Sequence, residues 1–344
     1  MAANYQERVK KWTEFMDPKS DCGAVVLIRY NDLPARPWPY REDIENRIDW
    51  AVRRYENQTE AMEWLDDDTL PYIAPYTGTE IFAEALGCKV HYSGDNMPFA
   101  LPLIKEAAEI KNIRQPKIED CCLYEIFELA YKLRGRAGEN ALIQLPDVQS
   151  PLDIAALVWR KEQFLMAMLD EPGAVNELTA ITEGLLTDFL DRWFHEFGNK
   201  YIAHYPDFYM EGGFTFSEDE VGEFSSDLFR QFCLPVINRM SDRYGGCAMH
   251  CCANSKHQWE GFKEIRGLRL LNLVQPMDLL AEAVRFFGAD VCHWHGAVNQ
   301  EERLLSLPEW VKSRPPRTHV VLEASAATTA EAIELCSCLK GLGN

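Results

Sequence analysis

The amino-acid sequence predicts an α/β fold, a (β/α)8 TIM-type barrel with helical N-terminal additions. Three observations carry that prediction. From about residue 140 onward, short apolar runs alternate with amphipathic helices, the pattern of βα units feeding a parallel sheet. Each run ends in a residue able to do chemistry, and in a barrel those ends converge on one face. No GxGxxG or GxxxxGK[ST] loop occurs, although an open doubly wound sheet would use one to hold phosphates.

The elements follow in order. Helical periodicity covers about Asn4 to Met16 and Asp43 to Trp64, around an apolar strand Ala24 to Arg29. Lys89 to Tyr92 is a candidate for a further barrel strand. ALIQL (141–145) precedes a helix over Pro151 to Leu169, and a long helix from Ala174 to Phe197 leads to the run DFYM (207–210). The helix Ser226 to Arg243 leads to CAMH (247–250), and His257 to Glu264 is a shorter helix before LRLLNLV (268–274). Met277 to Phe287 precedes ADVCHW (289–294), and THVVL (318–322) precedes the last helix, Thr328 to Leu339. With 344 residues, no internal repeat and no Gly/Ser- or Pro-rich linker, the chain reads as one domain over 1–344, with 1–75 as a helical N-terminal extension.

Composition excludes several functions. Lys plus Arg total 35 against 54 Asp plus Glu, a formal charge of -19, so the positive footprint that nucleic acid or an anionic membrane surface requires is missing. The apolar runs fall far short of the ~20 residues of a spanning helix. The opening MAANYQERVKKWTEF has no apolar signal region, and the expected location is cytoplasmic. Eleven cysteines, an odd number, read as small buried apolar residues rather than as a disulfide framework. A chain of this length folds without a metal, so any metal would serve chemistry.

Four stretches carry candidate chemistry. In MHCCAN (249–254), the alternation of an extended segment sends His250 and Cys252 to one side and Cys251 to the other. Such an imidazole and thiolate can share a zinc ion, or can simply pack. In CHWHG (292–296), His293 and His295 also share a face, as ligands, acid/base groups or pocket packing. In YMEGGF, two glycines after Glu211 permit a sharp turn, and the carboxylate there is a candidate base or ligand. In LPDVQSP, Asp147 and Gln149 stand at the barrel mouth as substrate contacts, with Ser150 and Pro151 opening a helix. The acidic SEDEVGEFS that follows YMEGGF reads as a solvated loop.

At these residues the chain resembles the uroporphyrinogen decarboxylase-like superfamily, which includes decarboxylases and zinc-dependent cobamide methyltransferases. The resemblance spans about residues 75 to 340 and rests on the order of LPDVQSP, FYMEGG, SSDLFRQFCLPVI, MHCCAN, CHWHGAVNQ and LEASAATTAEAI. It implies a barrel with its site at the strand C-termini. The decarboxylases carry an arginine-rich RQAGRY that grips an acidic tetrapyrrole; the corresponding LIRYNDLPARPWPYRE holds Arg29, Arg36 and Arg41 without that motif. The methyltransferases bind zinc through His-x-Cys and a distant cysteine. His250 and Cys252 match the first two, and Glu323 is the nearest substitute beside Ala324 and Ser325, where the third would fall.

The resulting expectation is a zinc-dependent methyltransferase of the corrinoid-linked type, moving a methyl group between a small donor and a cobamide or thiol. His250, Cys252 and Glu323 are the expected ligands, Glu211 and His295 the catalytic groups, and Asp147, Gln149 and His293 the substrate contacts. The corrinoid is expected as a bound substrate or on a partner protein. The alternative is a cofactor-free decarboxylase of a carboxylic acid or tetrapyrrole. Electrostatics favours the first: the strand ends supply Asp147, Glu211 and Glu323 and no Arg or Lys, whereas a polyacid needs several fixed cations. The opposing reading is that Arg29, Arg36 and Arg41 fold over the cavity and replace RQAGRY in a different register.

Overall fold

Strand β1 (Ala24–Tyr30) is apolar on both faces, as a strand buried on both sides must be, and its Val25 is fully buried. In the computed structural model, which describes residues 2–30, 32–297 and 311–343, it opens the parallel wall of a (β/α)8 barrel. The other wall strands are β2 (Tyr72–Ile73), β5 (Leu142–Ile143), β6 (Lys200–Ile202), β8 (Phe214–Ser217), β9 (Cys247–Cys251), β10 (Leu268–Gln275), β11 (Cys292–His293), β12 (Gly296–Ala297) and β13 (Val320–Ala326). Two antiparallel partners complete the set, β3 (Lys89–His91) with β4 (Phe99–Leu101), and β7 (Tyr209–Glu211) with β6.

Pairing runs β1-β13-β11-β10-β9-β8. A bridge from Ser217 to Gln149 and another from Gln144 to Ile202 carry the wall on to β5 and β6, and β5 pairs with β2. Between β1 and the segment before β2, side chains complete the closure. Asp68 Oδ2 accepts from Val26 N at 2.7 Å and Asp67 Oδ2 from Ile28 N at 3.0 Å, while Asp68 N donates to Val26 O. Arg8 and Lys11 neutralise these two carboxylates at 2.9 and 2.6 Å. Their helix, Ala2–Phe15, lies across the N-terminal end of the barrel, where Phe15 O meets Cys292 and His319 and Trp12 stacks near Trp294. Among the described residues, the larger of two hydrophobic clusters runs from Trp12 to Val321, and the smaller gathers Val26, Leu322 and Leu339.

Four expectations change. The 1–75 segment is not merely a helical extension, because β1 is a wall strand flanked by the helices Ala2–Phe15 and Ile44–Ala61. Lys89 to Tyr92 supplies no barrel strand: β3 and β4 form a separate antiparallel hairpin, and the wall position belongs to β2. The helix expected over Pro151 to Leu169 breaks at Trp159 and Arg160, which are extended. Most consequential, DFYM is not a wall strand. The chain reverses after β6 and returns as β7, and the next wall strand is β8. The turn between them needs Gly213 at φ +77°, where a Cβ would lie 2.9 Å from Gly246 O. Among the described residues, no helix is long and apolar enough to cross a membrane.

Candidate active site and metal centre

Register places the centre. Ser217 of β8 is level with His250 of β9, and Asn272 of β10 is level with His250 on the other side. One residue beyond β8, Glu218 N still donates to His250 O at 2.9 Å, which brings Asp219 alongside Cys252, whose backbone N donates to Asp219 Oδ1 at 2.6 Å. The donor atoms of Asp219, His250 and Cys252 consequently lie within 4.8 Å of one another. Cys251 points the other way, fully buried, as strand alternation requires.

The imidazole has a defined tautomer. Asn272 Nδ2 donates to Trp294 O, so its Oδ1 faces His250 Nδ1 at 2.5 Å and can only accept. The ring proton sits on Nδ1, and Nε2 presents a lone pair. Burial lowers the pKa of His250, favouring the neutral, ligating form. Burial, and then Asp219, push the Cys252 thiol up to about 12, so a thiolate there needs a cation. A carboxylate, an imidazole nitrogen and a sulfur form a donor set suited to zinc. Tyr205 packs edge-on against His250, ring centroids 4.5 Å apart. His204 next to it bridges Thr215 Oγ1 and Ser217 Oγ, and burial drives its pKa down to about 3.

The stretch SEDEVGEFS is no solvated loop. Glu218 is fully buried, and Asp153 accepts from Asp219 N at 2.6 Å and Glu220 N at 3.2 Å, fixing the turn that carries Asp219. Burial raises the proton affinity of both Asp153 and Glu218, with repulsion from Glu218 adding to it at Asp153 and repulsion from Asp219 adding to it at Glu218. Ser150 caps the Pro151–Val158 helix through Asp153 N, and Asp147 and Gln149 just before it stand at the mouth. Burial raises the Asp147 pKa to about 7.

The opposite side of the mouth is cationic, which corrects the expectation of an all-acid rim. Arg29, on β1, donates to Glu323 and to Pro206 O and lies 3.4 Å from Asp207. Arg54 donates to the Tyr72 hydroxyl and lies 3.9 Å from Asp207. Arg36 lies over the Tyr76 ring, 3.5 Å from its centroid. Arg41 turns outward to Glu84 and Glu125. Helix and loop residues supply much of this charge, so counting strand ends missed it.

The other sequence candidates divide. Glu323 is held by Arg29 and by Trp294 Nε1 at 3.1 Å and is not among the clustered donors. Glu211 is at the wrong end: because β7 runs backwards, it faces Lys200 at the start of β6, 3.2 Å away. His293 and His295 bond to each other and are not among the clustered donors. Leu273 N donates to His295 Nδ1, the rings meet at 3.0 Å, and His293 Nε2 reaches Gly288 O at 2.8 Å. Burial pulls the His293 pKa down to about 4. Alternation turns Trp294, between them, toward Glu323. Residues 298–300 of CHWHGAVNQ lie outside the described residues. The sequence reading missed Asp219, Asn272 and His204; the alternating FTFS (214–217) marks the strand that delivers the first, and a lone amide in LRLLNLV marks the second.

A family model described as uroporphyrinogen decarboxylase matches residues 75–314. Among solved structures, a methyltransferase from Methanosarcina mazei superposes with a TM-score of 0.67, covering 96% of this chain and 98% of that one at 12% identity, a likeness of fold. No curated protein matches by sequence.

Proposed function

The chain belongs to the uroporphyrinogen decarboxylase family, and from that premise we propose that it is a zinc-dependent methyltransferase of the corrinoid-linked type. The observation that carries the reading is the convergence of Asp219, His250 and Cys252. These three side chains would hold the metal, with Asp219 in the place the sequence reading gave to Glu323. Bound there, zinc supplies Lewis acidity to a thiol acceptor or a methyl donor. Asn272 keeps His250 Nε2 available, and Asp153 fixes the turn of Asp219 by taking its backbone N–H. Tyr205 shields the imidazole from one side, while Asp147 and Gln149 offer oxygens to a substrate entering beside the three ligands. The methyl group's other station is a cobamide, as a free substrate or on a partner protein.

The cationic rim favours a second reading, decarboxylation of an acidic substrate without a cofactor, because Arg29, Arg36 and Arg54 lie together there. Two measurements separate the readings. Elemental analysis of protein purified without chelator should find about one zinc per chain. Anaerobic assays with a panel of methylated donors and cob(I)alamin should yield methylcobalamin, while uroporphyrinogen should release no carbon dioxide. Release from the tetrapyrrole by metal-free protein, with no cobalamin methylation, would reverse the assignment.

A further inference from the structure

Two atoms of opposite character at the barrel mouth are buried without a hydrogen-bond partner. One is Nη2 of Arg36. Its guanidinium lies on Tyr76 and beside Trp50, and Arg54, another cation, adds repulsion. The nearby acid Asp207 already serves Arg29, Arg54 and Gln144. The other atom is Oδ1 of Asp147. Asp147 N donates to Thr77 Oγ1 at 2.9 Å, and Thr77 adjoins Tyr76, so the two groups stand on loops that follow β1, β2 and β5. Gln149 Oε1, two residues on, is a second buried acceptor without a donor.

An unpartnered buried polar atom is destabilising, and such a cost is tolerated where a ligand will supply the missing partner. Asp147 and Gln149 lack donors, and Arg36 lacks an acceptor. A purely cationic ligand would leave Arg36 unmatched. A polyacid would need more than one uncompensated cation, whereas Arg29 is engaged by Glu323 and Asp207, and Arg54 by Tyr72 and Asp207.

We propose that the substrate taken at this mouth is a small zwitterion, its ammonium N–H groups received by Asp147 and Gln149 and its anionic group by Arg36. This rests on placing the active site beside Asp219, His250 and Cys252, as proposed above. It narrows the substrate to amino-acid-like molecules and sets it apart from tetrapyrroles and simple alkylamines.

The test is calorimetric titration of the full chain, metal-free and zinc-loaded, with glycine, β-alanine and γ-aminobutyrate, and with butyrate and n-propylammonium as single-charge counterparts. At least one zwitterion should bind about ten-fold or more tightly than either counterpart. Arg36→Gln should remove the advantage over propylammonium, Arg36→Lys should keep part of it, and Asp147→Asn should remove the advantage over butyrate. Each variant should retain the parent's circular dichroism, which separates loss of a contact from loss of fold. Equal binding of zwitterions and single-charge ligands, or an unchanged ranking in folded Arg36→Gln and Asp147→Asn proteins, would overturn the proposal. The ranking is read without any methyl donor, so failure of the methyltransferase assay alone leaves it standing, and loss of the ranking leaves the zinc content and that assay untouched.

Discussion

Asn272 dictates which nitrogen of His250 is available. Its amide nitrogen is committed to Trp294 O and its oxygen lies 2.5 Å from Nδ1, so Nε2 is the nitrogen left to act as a donor with Asp219 and Cys252. Support of this kind fixes ring orientation and ligand basicity, and its loss typically costs 10–100-fold in metal affinity. Asn272→Leu should therefore weaken zinc binding about ten-fold or more, read by competition with a chromogenic chelator. Asn272→Asp should lose less than the leucine variant, because a carboxylate still accepts from Nδ1 although it cannot donate to Trp294 O. Unchanged affinity in the leucine variant would show that the tautomer is set elsewhere.

The adjacent cysteines should respond in opposite ways. Cys252 is exposed beside Asp219, whereas Cys251 is fully buried with its thiol 3.8 Å from Ala253 O. Cys252→Ser should release most of the zinc at little cost in stability. Cys251→Ser places a hydroxyl in an apolar core and should lower stability by about 1–3 kcal/mol while zinc content holds. Metal analysis beside urea unfolding of both variants checks this, and equal metal loss from both would remove Cys252 from the ligand set.

Glu80 ties stability to pH. It is 5% exposed, one of its oxygens has no partner, and burial raises its pKa from 4.5 to about 7. A carboxyl whose folded pKa is raised binds more protons in the native state, so it lowers stability as pH rises from about 4.5 to about 7, with no further change above. The cost at pH 8 is on the order of 3 kcal/mol, taking about 1.4 kcal/mol for each pH unit between the two values. Glu80→Gln should stabilise the protein by a few kcal/mol at about pH 8 and hardly at all at about pH 4. Urea midpoints at the two pH values decide, and a gain of equal size at both would trace to packing.

Reading residues by local pattern worked where a strand is long and its neighbours are regular. CAMHC gave the placement of His250 against Cys251 because alternation alone decides it. Asp219 escaped because its position depends on the register of β8 against β9 and on Asp153, a residue 66 positions away in sequence, holding its backbone. The arginine rim was legible only as the opposing reading for Arg29 and Arg36, and Arg54 escaped, for a related reason: Arg36 and Arg54 come from a loop and a helix, and only closure of the barrel brings them to Tyr76 and Tyr72. His293 and His295 matched a ligand spacing, but alternation around Trp294 gave them to their own hydrogen-bonded chain.

Glu211 is the clearest test of the corrected topology. The sequence places it after an apolar run, where a wall strand would deliver a catalytic carboxylate to the mouth. The antiparallel pairing of β7 with β6 instead sets it opposite Lys200, at the far end of the barrel, in an exposed ion pair of 3.2 Å. Exposed pairs of this kind contribute about 0–1 kcal/mol. Glu211→Gln should leave zinc content unchanged, keep methyl-transfer turnover within about two-fold, and shift stability by less than about 1 kcal/mol. Asp219→Asn, eight residues further on, should lose most of the metal and most of the turnover. If the two variants instead behaved in reverse, with Glu211→Gln inactive and Asp219→Asn intact, the reacting groups would lie at the strand N-termini and the centre described above would have to be abandoned.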